Sequence, residues 1–188
     1  ANILSEFFQS VFTQEPDGPL PEFEDRMDDS ESLQDCDFSI EDVLKKLQSL
    51  KSDKSPGPDQ IHPRVLKECA PQLAKPLYKI FRLSLNEGYV SMDWKLASIT
   101  PIFKKGSRTK AGNYRPVSLT CVPCKLMESL VRDSVLEHVD VSGKATDAQH
   151  GFTSGRSCLT NLLETLEEIT ASLDEGFCVD VIYLDYQK

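Results

Sequence analysis

The stretch LASITPIFKKGSRTKAGNYRPVSL, residues 96–119, decides how the rest of the chain is read. LASITPIF (96–103) alternates in the manner of a strand, Gly106 to Asn113 is rich in turn formers, and YRPVSL (114–119) runs back. This pattern predicts a β-hairpin with a basic tip. Pro101 has no N–H to give to a ladder, so its strand belongs at an edge. Lys104 and Lys105 end the first strand and Arg115 lies on the return strand, so all three can face one concavity. Lysine supplies a mobile point charge and arginine a planar, bidentate donor, a combination that suits a polyphosphate. A solvated basic turn has the same spacing, and spacing alone leaves both readings open.

The charge around the hairpin sharpens the question. The 188-residue chain carries a net charge of −9, but its acid is concentrated at one end. Residues 1–50 hold 13 Asp/Glu against 3 Lys/Arg, whereas residues 51–188 hold 17 against 18. From Trp94 to Met127 there are seven basic residues (Lys95, Lys104, Lys105, Arg108, Lys110, Arg115 and Lys125) and no acidic one. Such a segment attracts anions whatever the whole-chain balance.

Outside the hairpin, helical periodicity dominates. Leu4, Phe7, Phe8, Val11 and Phe12 predict a short amphipathic helix over 2–13, with Asn2 as a cap and the helix as an arm. Gln14 to Asp37 is rich in Pro, Gly and acid and reads as a linker. Ser39 is placed to cap a helix that turns Ile40, Val43, Leu44 and Leu47 to one side. Helices follow at about 62–70 and 72–87, the second ending at Gly88. Another begins at Pro123 and runs to about His138, and a Leu-rich one spans 159–173. The closing segment FCVDVIYLD (177–185) is apolar on both faces, as a central strand would be. The predicted class is helix-rich α+β.

Composition narrows the function. No apolar run reaches the roughly 18–20 residues a membrane span requires, and ANILSEFF is not leader-like, so a soluble, intracellular protein is expected. Six cysteines without a secretory signal are expected to be reduced thiols. Cys121 and Cys124 have C-x-x-C spacing but no second pair or nearby histidine to complete a zinc site, so both are assigned to packing. His62, His138 and His150 are dispersed and receive no role. Neither a P-loop nor a dinucleotide-binding glycine fingerprint occurs.

Two loops and one acid complete the candidates. Ser55-Pro-Gly-Pro-Asp59 fixes a backbone whose N–H groups could approach a phosphate, although turn punctuation explains it equally well. Gln149-His-Gly-Phe152 with Arg156 offers polar, aromatic and cationic groups for clamping a nucleic-acid strand, or is a surface loop before a helix. Asp185 lies at the end of the apolar segment, where a carboxylate can hold a metal ion. Asp180 is an odd number of residues away and points to the opposite face.

Taken in order, KSPGPDQIHPRVLK, WKLASITPIFKKGSRTKAGNYRPVSLTCVPCKLMESLV, QHGFTSGRSCLTNLL and VIYLDYQK resemble the fingers and early palm of a non-LTR retrotransposon reverse transcriptase of the jockey and chicken-repeat kind. The resemblance runs from about residue 51 to the last residue, and residues 1–50 resemble the segment joining an endonuclease to such a polymerase. It implies an RNA-directed DNA polymerase with a right-hand fold: arm and acidic linker over 1–50, fingers over 51–176, and a first palm strand over 177–188. Asp185 then matches the first catalytic aspartate, a ligand to two Mg²⁺ ions. Lys104, Lys105 and Arg115 match fingers residues that meet the triphosphate of the incoming deoxynucleotide. Ser55, Gly57, Pro58 and Asp59 match a loop against the RNA template, and Gln149, Gly151, Phe152 and Arg156 a segment near template and nucleotide.

The implied partners are an RNA template, a DNA primer, deoxynucleoside triphosphates and the remainder of the polymerase chain, in a ribonucleoprotein of cytoplasm and nucleus, with no membrane. In the family, VIYLDYQK continues into Ala-Phe-Asp and later into paired aspartates, neither of which occurs here. The expectation is therefore a fragment that polymerises nothing alone, since one carboxylate cannot hold two metals. The alternatives are a non-catalytic nucleic-acid-binding module or a degenerate relic of a mobile element.

Overall fold

A computed structural model describes residues 1–12, 18–19, 32–143, 146 and 148–184. In order, its elements are α1 (Asn2–Ser10), α2 (Ile40–Gln48), α3 (Pro63–Glu68), α4 (Ala70–Glu87), β1 (Ser98–Phe103), β2 (Tyr114–Leu119), α5 (Val122–Val141) and α6 (Cys158–Asp174). The expected helix-rich α+β class is what forms, with one two-stranded antiparallel sheet among the described residues. Two compact units divide the chain, Ala1–His138 and Val139–Lys188.

The core of the first unit follows from helical periodicity. Ala70, Ala74, Leu77 and Phe81 recur every three or four residues along α4 and are all buried. Against them lie Val43 and Leu47 of α2 and Val122, Leu126, Met127 and Leu130 of α5. Burying side chains as large as Phe81 and Leu47 contributes about 1.5–3 kcal/mol each. Trp94 closes one end, its ring edge-on to Phe81 with centroids 5.7 Å apart.

Local signals set the helix ends. Ser39 Oγ accepts from the Asp42 N–H at 3.2 Å while Asp42 Oδ2 accepts from the Ser39 N–H at 3.0 Å, a capping box that starts α2. His62, given no role in the sequence, caps α3 by accepting from the Arg64 N–H at Nδ1 (3.2 Å). Gly88 ends α4 in the left-handed conformation, φ 60°. At α1 the cap position is Ala1 rather than Asn2, without a side-chain bond. In this helix Phe8 is buried, and the Phe7 ring approaches Gly112 beside the hairpin. The acidic linker falls largely on residues outside the described ones.

In the second unit, Ser157 and Thr160 form a capping box that starts α6. The central strand expected over 177–185 does not form through Leu184; Ile182, Tyr183 and Leu184 are 80%, 91% and 91% exposed. A strand needs a neighbour to complete its ladder, and β1 and β2 pair only with each other among the described residues. Asp185 lies outside the described residues.

One ion pair ties α2 to α5: Lys46 Nζ donates to Asp133 Oδ2, and Arg132 Nη2 meets Asp133 Oδ1 at 2.7 Å. Lys46, then Arg132, holds the Asp133 carboxyl below its ordinary range. A depressed carboxylate contributes stability above its unfolded pKa and loses it as pH falls through the lower folded value. Urea midpoints measured from about pH 6 to pH 3 are expected to drop below the ordinary carboxylate range near 4, less steeply in Asp133→Asn. An equally steep profile in the variant contradicts this assignment.

Candidate nucleic-acid interface

The hairpin register decides which basic groups share a face. Ile102 pairs with Arg115 and Phe103 with Tyr114, and the Lys104 N–H donates to the Asn113 carbonyl at 2.8 Å, extending the ladder by one residue. Paired residues lie on one face and alternate residues repeat it, so Lys104 falls on the Arg115 side as a diagonal neighbour. Lys105 stands at the following bend. Phe103 and Tyr114 meet edge-on, with centroids 5.6 Å apart, and the Arg108 guanidinium lies 5.2 Å from the Phe103 centroid. The tip is built by its own polar groups: Asn113 Nδ2 donates to the Ser107 carbonyl (2.7 Å) and the Tyr114 hydroxyl to the Arg108 carbonyl (2.9 Å). Gly106 adopts φ 86°, a conformation that side chains rarely take. Lys104, Lys105, Arg108, Lys110 and Arg115 are exposed and form no ion pair among the described residues.

The 55–59 loop is tied to the foot of this hairpin. Gly57 is buried, and a Cβ there would stand 2.4 Å from the Cys121 Cα and 2.6 Å from the Thr120 carbonyl oxygen, so only glycine fits this approach. Ser55 and Asp59 on either side are exposed, and Pro58 is half-buried. Asp59 Oδ1 accepts from the Ile61 N–H at 3.2 Å. Cys121 and Cys124 are buried at the start of α5, and burial with the Glu128 carboxylate pushes the Cys124 thiol up to about 12. Both therefore pack as neutral thiols.

The 149–157 loop belongs to the second unit. His150, dismissed in the sequence, is its anchor: it is buried, with Nδ1 3.0 Å from Thr160 Oγ1 and Nε2 2.9 Å from Glu164 Oε2. Arg156 Nη1 adds contacts to His150 Nε2 (3.2 Å) and to Glu164 Oε1 (3.6 Å). Gln149 folds back, its amide donating to the Gly151 carbonyl at 2.9 Å. Phe152 stands fully exposed at φ 60°, a left-handed conformation costing on the order of 1–3 kcal/mol. Arg156, expected to clamp a strand, contacts His150 of its own loop and Glu164 of α6. The sequence signal for the anchor is a capping serine, Ser157, with Thr160 and Glu164 on successive turns of one helix face.

The structure thus brings Lys104 and Arg115 together and sets Ser55, Gly57, Pro58 and Asp59 at the base of the same hairpin. Gln149, Gly151, Phe152 and Arg156 lie in the other unit, and Asp185 is outside the described residues. Carboxylate oxygens suit Mg²⁺. Among the described residues no three His, Cys, Asp or Glu side chains come together as a metal cage. Nor is any described helix long and apolar enough to cross a membrane.

No family model matches the chain. Among curated proteins it is 24% identical over 194 residues to a probable RNA-directed DNA polymerase from transposon BS of Drosophila melanogaster, an alignment covering 100% of this chain and 21% of the relative. It is 34% identical over 115 residues to the RNA-directed DNA polymerase from mobile element jockey of the same species, covering 61% and 13%. To a probable RNA-directed DNA polymerase from transposon X-element it is 25% identical over 148 residues, covering 78% and 16%. The resemblance read from the motifs is borne out: over most of its length the chain is similar to RNA-directed DNA polymerases of non-LTR mobile elements. It spans 21% or less of these relatives' lengths.

The His150 anchor has a direct readout. In His150→Ala, the Ser157 and Thr160 amides are expected to exchange hydrogen faster, while Leu47 and Phe81 of the first unit keep their protection. Unchanged protection at 157 and 160 contradicts the anchoring role.

Proposed function

We propose that this chain is part of an RNA-directed DNA polymerase, a nucleotidyltransferase of the non-LTR retrotransposon kind. Its hairpin forms the fingers element that meets the triphosphate of an incoming deoxynucleotide. The observation that carries this reading is the ladder register, which sets Lys104 and Arg115 on one face of a basic hairpin with no ion pair to neutralise them among the described residues. A point charge beside a planar bidentate donor matches adjacent phosphates better than either alone. Ser55, Gly57, Pro58 and Asp59 follow the RNA template, and the loop carrying Gln149, Gly151, Phe152 and Arg156 lies near template and nucleotide.

In the assembled enzyme, residues 51–176 act as fingers and 177–188 as the opening of the palm, with an RNA template, a DNA primer and the rest of the polymerase chain as partners. Asp185 is the candidate metal ligand; Mg²⁺, when bound, lowers the pKa of the primer hydroxyl and neutralises the triphosphate. The site of action is a ribonucleoprotein of cytoplasm and nucleus. Because the chain supplies a single candidate carboxylate of this kind, it is expected to incorporate no deoxynucleotide by itself.

Binding of the chain to single-stranded RNA tests the hairpin assignment. Affinity is expected to fall with salt, and Lys104→Ala with Arg115→Ala to reduce the log–log salt slope by about 0.7 for each phosphate that these side chains neutralise. An unchanged slope in the double variant contradicts a phosphate role for this face.

A further inference from the structure

A second cationic surface lies apart from the hairpin face, in a cleft of about 390 Å³ between the end of α2, the 51–59 loop and the first turns of α5. Its floor is apolar, made by Leu50, Pro63, Val122 and Leu126. Its rim carries Lys51, Lys54 and Lys125, and no described Asp or Glu lines it. Lys46 also borders the cleft but is paired with Asp133. Lys54 lies 3.7 Å from Asp53 in a solvent-exposed pair, which offsets little of its charge. Lys51 and Lys125 have no ion pair among the described residues.

The backbone approach of Gly57 to Thr120 and Cys121 holds the 51–59 loop beside the start of α5, so Lys54 and Lys125 border one cleft. Lys67 Nζ donates to the Leu50 carbonyl at 3.1 Å, pinning the loop's other end. The volume is within the roughly 300–1,000 Å³ range of small-ligand sites. A bare inorganic anion leaves the apolar floor in water, and an apolar peptide leaves the ammonium groups uncompensated. A molecule with a flat, weakly polar face and a phosphate edge satisfies both.

We propose that this cleft holds one nucleotide unit of a single-stranded nucleic acid, its base on the Leu50–Leu126 floor and its phosphate among Lys51, Lys54 and Lys125. The inference rests on the proposed function and deepens its reading of the 51–59 loop, whose Ser55 also lines the cleft; the site is separate from the Lys104–Arg115 face. Binding through a base face and a phosphate is sequence-tolerant, because every nucleotide has both.

The test uses the 188-residue chain with a fluorescent oligouridylate and, separately, uridine monophosphate. Lys51→Ala with Lys125→Ala is expected to weaken the oligonucleotide about tenfold at low salt. Its salt slope is expected to fall by about 0.7 for each phosphate released from a lysine. A 4-thiouridine-substituted strand is expected to cross-link to peptides containing Leu50 or Leu126. Loss of affinity here with none in Lys104→Ala/Arg115→Ala supports the cleft and sinks the hairpin reading. The reverse pattern, or cross-links confined to the hairpin, overturns the cleft. Uridine monophosphate binding as tightly as the oligonucleotide also overturns it, since the ligand is then a free nucleotide.

Discussion

Gly57 and the peptide between Thr120 and Cys121 lie so close that a single added carbon at position 57 would stand 2.4 Å from the Cys121 Cα. Backbone packed on backbone at this range has no side chain to yield, so the approach fixes three elements relative to one another: the 51–59 loop, the exit of β2 and the start of α5. Each leads to a candidate binding surface. The exit of β2 leads back along the ladder to Arg115, the loop carries Ser55 and Lys54, and the first turn of α5 carries Lys125. Val122 and Leu126, just past this junction on α5, belong to the hydrophobic core with Phe81, Leu47 and Val43.

Electrostatics then explains how an acidic chain can present cationic surfaces. The acid is concentrated before residue 50, while Trp94 to Met127 has none. Exposed charges further apart than about 8–10 Å are largely screened at physiological salt, so the local field, not the total charge, governs what approaches the hairpin. Where acids meet bases in the structure, they serve architecture: Asp133 joins Lys46 across two helices, Asp35 accepts from Arg82, and Glu164 holds His150 and Arg156. The hairpin lysines and Arg115 are left out of these pairs.

Much of this was legible in the sequence. Ser39 announced the start of α2, Gly88 the end of α4, and the alternation around Gly106–Asn113 gave the hairpin, because each signal is local and acts through its own backbone. What depends on a distant partner was not legible. Gly57 reads as turn punctuation until Cys121 is seen beside it, 64 positions along the chain. His150 reads as an isolated histidine until Glu164 arrives from the next helix. The apolar run 177–184 has the composition of a central strand, yet a strand is a property of two segments, and its ladder partner is not among the described residues. For the candidate site, residue types and spacing suggested Lys104, Lys105 and Arg115 together, and only the register singled out Lys104 as the neighbour of Arg115.

If the close approach of Gly57 organises the candidate binding surfaces of the first unit, Gly57→Ala loosens the junction that carries them. Hydrogen exchange across residues 51–61 and 119–126, compared between parent and variant, reads the junction itself. Both segments are expected to lose protection together while Val43 and Ala74 amides stay protected. Protection unchanged in both segments would contradict it.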